Sequence, residues 1–246
     1  MNKLIIVISV LLMSITQLQA EPTKVKVTVL AKDAKFIGSS MDGAQITILN
    51  SDTAEVLAQG LTEGATGDTK TIMQTPHSRH QVLSSDNSAS YQTTLNITKP
   101  IKIKVTARGP MNLDDNSSTV SAEYWLIPGK HLDKNDAIKL EMPGFFIKSS
   151  LTHDKNSSMI AVTSEIRMMC GCPIEPDGLW DANRYEIVAY LLKNGEEVAR
   201  KTMDFVKTSE FSVEFKLSDK GNYQIVTFAY DPHNSNTGVD TLSFTH

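Results

Sequence analysis

The two cysteines of this chain stand one residue apart, in Cys170-Gly171-Cys172, directly after Met168-Met169. Thiolates and thioethers are soft donors suited to Cu(I) and, for thiolates, to zinc. Cys170 and Cys172 with Met168 or Met169 would supply three sulfurs for copper. A zinc site would need one or two further ligands, such as a histidine. The same spacing also allows a disulfide between Cys170 and Cys172. So small a ring is strained and therefore reducible, and it releases little loop entropy. It could serve as a thiol–disulfide exchanger, although no thioredoxin-like βαβ pattern surrounds it. The third reading is a loop held by a local clip or by packed thiols. The residues leave all three open.

The neighbouring residues say how the loop is built. If 166–169 continue a strand, Met168 and Cys170 point to one face and Met169 to the other. Two adjacent methionines then cannot share one core, so one lies in an interface, at the surface or near the cysteines. Gly171 permits a tight bend, and Pro173 ends ladder pairing. Pro176-Asp177-Gly178 makes a turn, and Trp180 is expected to cover the loop. These features place the cysteines at a strand end, on an exposed rim. Glu175, Asp177 and Asp181 read as solvated turn groups.

The remaining chemistry-bearing residues carry weaker patterns. His77 and His80 fall in a polar stretch that reads as a long loop, and His233 reads as a turn residue. Gly64 and Gly67 lack the Gly-Lys-[Ser/Thr] ending and helix of a phosphate loop. Asp114, Asp115 and Asn116 offer oxygen ligands without EF-hand spacing. No segment juxtaposes Ser, His and Asp as a motif. An enzyme is therefore the lesser expectation.

The elements that must position these residues are strands. Val25, Val27 and Val29 alternate with Lys24, Lys26 and Thr28, the period-two signature of a half-buried strand. Segments such as 44–50, 100–109, 118–129, 158–169, 183–195 and 221–231 read as further strands. Turn signals recur at Asp42-Gly43, Pro128-Gly129, Pro143-Gly144 and Asn194-Gly195. The last stands at hairpin spacing and favours a type I′ turn. About a dozen short strands predict an all-β protein of two β-sandwich domains in tandem. The expected divisions are 1–20, 21–145 and 146–246, with the Cys-Gly-Cys loop in the last.

Two resemblances accompany this reading. The stretch DGAQITILNSDTAEVLAQGLTEGATGDT resembles the opening of transthyretin-like and carboxypeptidase-regulatory-like modules. DKGNYQIVTFAYDPHNSNTGVDTLSFTH resembles the last two strands of bacterial immunoglobulin-like modules. Both imply a sandwich fold, and neither transfers a functional residue.

The N-terminus reads as a secretory signal peptide. Lys3 precedes a short apolar run, and Leu18 and Ala20 suit the −3 and −1 positions before Glu21. The run is shorter than the roughly 20 residues a spanning helix needs. The expected location is the periplasm or the exterior, without membrane insertion after cleavage. The chain holds 24 basic and 28 acidic residues. This dispersed mild acidity argues against nucleic-acid binding, which needs a basic face. The functional expectation is a non-enzymatic binding or interaction protein, with copper the candidate cofactor and a protein the candidate partner of the second domain.

Overall fold

The computed structural model describes residues 19–153 and 157–246, with backbone only at 114 and 115. The expected signal peptide, 1–20, falls almost wholly outside the described residues, as do the side chains of Asp114 and Asp115. The protein is all-β, with fifteen strands in four sheets among the described residues.

The first sandwich is built from β1 (Glu21–Ala31), β2 (Gln45–Asn50), β3 (Val56–Leu61), β4 (Tyr91–Ile97), β5 (Ile101–Gly109), β6 (Ser118–Leu126) and β7 (Ile138–Met142). Its sheets have the orders β4-β1-β7 and β3-β2-β5-β6. The Val25/Val27/Val29 face of β1 is fully buried, as its alternation requires. The polar stretch before β4 is a loop over 75–90, as expected, but it opens on a helical turn and is anchored. Lys70–Gln74 form one π-helical turn. Ile72 and Leu83 then bury against Phe36 and Ala89 in a small separate core. The Asp136 carboxylate accepts the backbone N–H groups of Leu83 and Ser84 and pins the rest.

The second sandwich contains β8 (Phe145–His153), β9 (Met159–Met168), β10 (Glu186–Lys193), β11 (Glu196–Thr202), β12 (Asp204–Lys207), β13 (Glu210–Lys216), β14 (Asn222–Asp231) and β15 (Asn236–Thr245). Its sheets run β12-β13-β9-β8 and β11-β10-β14-β15. Asn194 and Gly195 both have positive φ, 51° and 89°, as a type I′ turn between β10 and β11 demands.

Only Pro143 and Gly144 separate β7 from β8. This link is clamped. Asn236, buried at the start of β15, accepts the Gly144 N–H at 2.8 Å and donates to the Gly144 carbonyl at 2.9 Å. One apolar cluster runs through both sandwiches. The seam between them is therefore core, and the strand ends that meet there are buried.

Candidate functional site

β9 ends at Met168, and the chain turns at once through Cys170-Gly171-Cys172. The Gly171 N–H donates to the Met168 carbonyl, and the Met168 N–H donates to the Cys172 carbonyl. Gly171 takes φ +81°, a conformation that glycine reaches without Cβ strain. Arg167 bridges to Pro173, after which regular pairing stops. The strand-end placement thus follows from local sequence.

The expected exposure does not hold. Cys170 is 1% exposed and Cys172 7%. The rim of this sandwich is covered by the first sandwich, which the local turn signals could not reveal. Met41 lies over the loop, and a Cβ at Gly171 would stand 2.6 Å from its sulfur. The turn after β1 covers the cysteines themselves, with the Lys35 N–H directed at both sulfurs. Trp180 completes the enclosure by donating from Nε1 to the Asp33 carbonyl at 2.8 Å.

The two sulfurs are 2.6 Å apart. Burial pushes the Cys170 thiol up, but the Cys172 hydrogen bond, the Lys35 and Cys172 amides and the Lys35 charge outweigh it and bring Cys170 below the ordinary thiol value. The hydrogen bond with Cys170 and then burial push Cys172 strongly up. The opposite directions have one cause, the contact between the two sulfurs, so the pair titrates as a unit.

The methionines divide as strand geometry requires. Both are buried, but Met169 faces the link, where a Cβ at Gly144 would lie 3.2 Å from its terminal methyl and 3.3 Å from Ser118 Oγ. Among the described residues, no group of three or more His, Cys, Asp or Glu side chains is arranged to hold a metal. The sulfur that sequence reasoning missed is Met41, which precedes the loop by well over a hundred residues and carries no local signal.

A polar cluster continues the seam beside Trp180. Asn234 donates to Asp33 Oδ2 at 3.2 Å. Burial, then the Asp231 charge, raises the Asp33 carboxyl against the opposing pull of Arg184 and His233. Burial, then Asp231 and Asp33, likewise raises the Tyr185 phenol.

The other sequence candidates are engaged locally. The Glu175 carboxylate accepts from Thr208, and Asp181 accepts the backbone N–H groups of Asp177 and Asn183. His77 bonds the Ile72 carbonyl, and the His233 N–H donates to Asp231. None of these histidines joins the cysteines.

No family model matches the chain, and no curated protein matches it. Among solved structures, the fibronectin(III)-like modules of Clostridium thermocellum CbhA align with 91% of this chain and 93% of their own. The identity is 11% and the TM-score 0.25, values that carry no functional argument. Among the described residues, no helix is long and apolar enough to cross a membrane.

Proposed function

We propose that this chain is an exported, non-enzymatic interaction protein, and that Cys170 and Cys172 act as a redox-closable clip in the seam between its sandwiches. The carrying observation is that the two sulfurs are buried in direct contact with each other, under amides that favour a thiolate. Export rests on the leader pattern before Glu21 and would place the pair in an oxidising compartment. In the closing step two thiols lose two protons and two electrons. The Cys170–Cys172 bond forms, and a disulfide oxidant leaves as two thiols. Burial restricts that exchange to moments when the seam opens. A partner surface on the second sandwich is supported by exposed Val198 on β11 and by Phe205 and Val206 on β12.

The clip is tested by labelling thiols in denatured, exported protein. The expected result is no labelled cysteine as purified and two after reduction, with reduction lowering Tm. Two free thiols that persist after treatment with a disulfide oxidant would overturn it.

Met41 favours a second reading, a Cu(I) site of Cys170 and Cys172 in which a thioether joins from the first sandwich. Met168 and Met169 remain its alternative sulfurs. Reduced protein should then take about one Cu(I) from a colorimetric chelator. Replacing both cysteines with serine should abolish this, and Met41→Leu should weaken it more than Met169→Leu. Equal uptake by the wild type and the double-serine variant would remove this reading.

A further inference from the structure

The opposite end of the second sandwich holds a pair of side chains that the seam does not use. β8 and β15 both start at the seam, β8 at Phe145 beside the clamped Gly144 and β15 at the clamping residue Asn236. They lie in different sheets. At the far end of β8 stands His153, and directly after β15 stands His246. His153 Nε2 and His246 Nδ1 are 3.1 Å apart. The ring centroids are 5.1 Å apart, with planes tilted by 51°. Both residues are partly exposed, in contrast to the cysteines.

The pair is held rather than draped. His153 packs edge-on against Phe244, with centroids 5.6 Å apart, and Phe244 stacks on Tyr223 at 5.5 Å. The backbone of His246 exchanges two hydrogen bonds with Gly221. Two ring nitrogens so fixed can share a proton, or both can present lone pairs to one cation. The second arrangement keeps the protons on His153 Nδ1 and His246 Nε2. At metal–nitrogen distances of about 2.0–2.1 Å, the observed separation corresponds to an N–metal–N angle of about 98°. That lies between the square or octahedral angle and the tetrahedral one, so the separation suits a single ion held by both nitrogens.

We propose that His153 and His246 form a bidentate imidazole site for a divalent transition metal, which ties the outer ends of the two sheets together. Imidazole selects zinc, nickel and copper over calcium and magnesium, which take oxygen donors. Among the described residues these two side chains are the ligands, and water takes the positions they leave. The site is independent of the cysteines, at the other end of β8, roughly 26 Å away at the rise of a β-strand.

The test is calorimetric titration of Zn(II) into the full, tag-free chain with its thiols reduced. About one equivalent should bind. His153→Ala and His246→Ala should each weaken binding at least tenfold, while Cys170→Ser with Cys172→Ser leaves it unchanged. Zn(II) at a hundredfold excess over Kd should raise Tm by about 5 °C, a shift absent from both histidine variants. Co(II) gives a second readout, with d–d absorption but no thiolate charge-transfer band. Nuclear magnetic resonance of the wild type avoids reliance on variants, because Zn(II) should shift the ring protons of His153 and His246 together. The proposal fails if those ring protons stay unmoved, or if binding disappears in the double-serine variant and survives in the histidine variants. The latter result would assign the zinc to the sulfurs instead.

Discussion

The two ends of the second sandwich are made from the same strands and differ in what covers them. At the seam, β9 delivers Met168 and the Cys-Gly-Cys turn beneath Met41, Lys35 and Trp180. At the free end, β8 and β15 deliver His153 and His246 to a partly exposed edge. The seam places soft, oxidisable sulfurs where solvent rarely reaches. The free end places borderline nitrogens where an ion can arrive. A strand end has no fixed chemistry of its own, since the neighbouring sandwich decides whether its side chains face a core or water.

The comparison breaks first at the clamp. Asn236→Ala removes both hydrogen bonds to Gly144 and leaves a buried N–H and C=O unpaired. The expected loss is about 3 kcal/mol, read by denaturant unfolding. Thiol labelling of the reduced native variant should also quicken as the seam loosens. Unchanged stability and labelling would show that the link is not what holds the two sandwiches together.

A matched pair of glycines sharpens the contrast. Gly171 at the seam and Gly195 at the free end both have positive φ, 81° and 89°. A Cβ at Gly171 meets the Met41 sulfur, whereas one at Gly195 has nothing within 4 Å. Gly171→Ala should therefore cost about 2–3 kcal/mol, from backbone strain plus overpacking. Gly195→Ala should cost only about 1 kcal/mol, from strain alone. Equal costs would mean that Met41 yields freely and the seam is loosely packed.

The smallest expected effect is a pH dependence confined to the seam. The folded protein raises the Asp33 carboxyl above its ordinary value, through burial first and Asp231 second. A raised carboxyl means that the folded state binds its proton more tightly than the unfolded chain. Its contribution is fully present below the ordinary carboxylate value and is lost as pH rises through the folded one. Asp33→Asn should flatten the part of the stability profile that lies above the ordinary carboxylate value. An unaltered profile would show that Arg184 and His233 neutralise Asp33.

Much of the fold was legible because its signals are local. Alternating valines set β1, Asn194-Gly195 set a hairpin, and short strands between turn residues specified tandem sandwiches. The same logic put Cys170 and Cys172 at a strand end and separated Met169 from Met168. The buried Leu83 in the polar stretch was not legible, because its anchors, Phe36 and Asp136, lie far along the chain.

What the sequence determined by itself was the period of each strand, the bend at Gly171 and the choice of sulfur for the loop. Tertiary structure alone decided that the loop is buried, that Met41 and the Lys35 amide attend it, and that His153 meets His246. The physical reason is range. Side-chain alternation and turn conformation depend on a few consecutive residues, whereas solvent exposure and side-chain convergence depend on which strand ends two separately formed sandwiches press together. Pro143 and Gly144 carry no mark of that outcome, because the clamp on Gly144 is held by Asn236, 92 residues away.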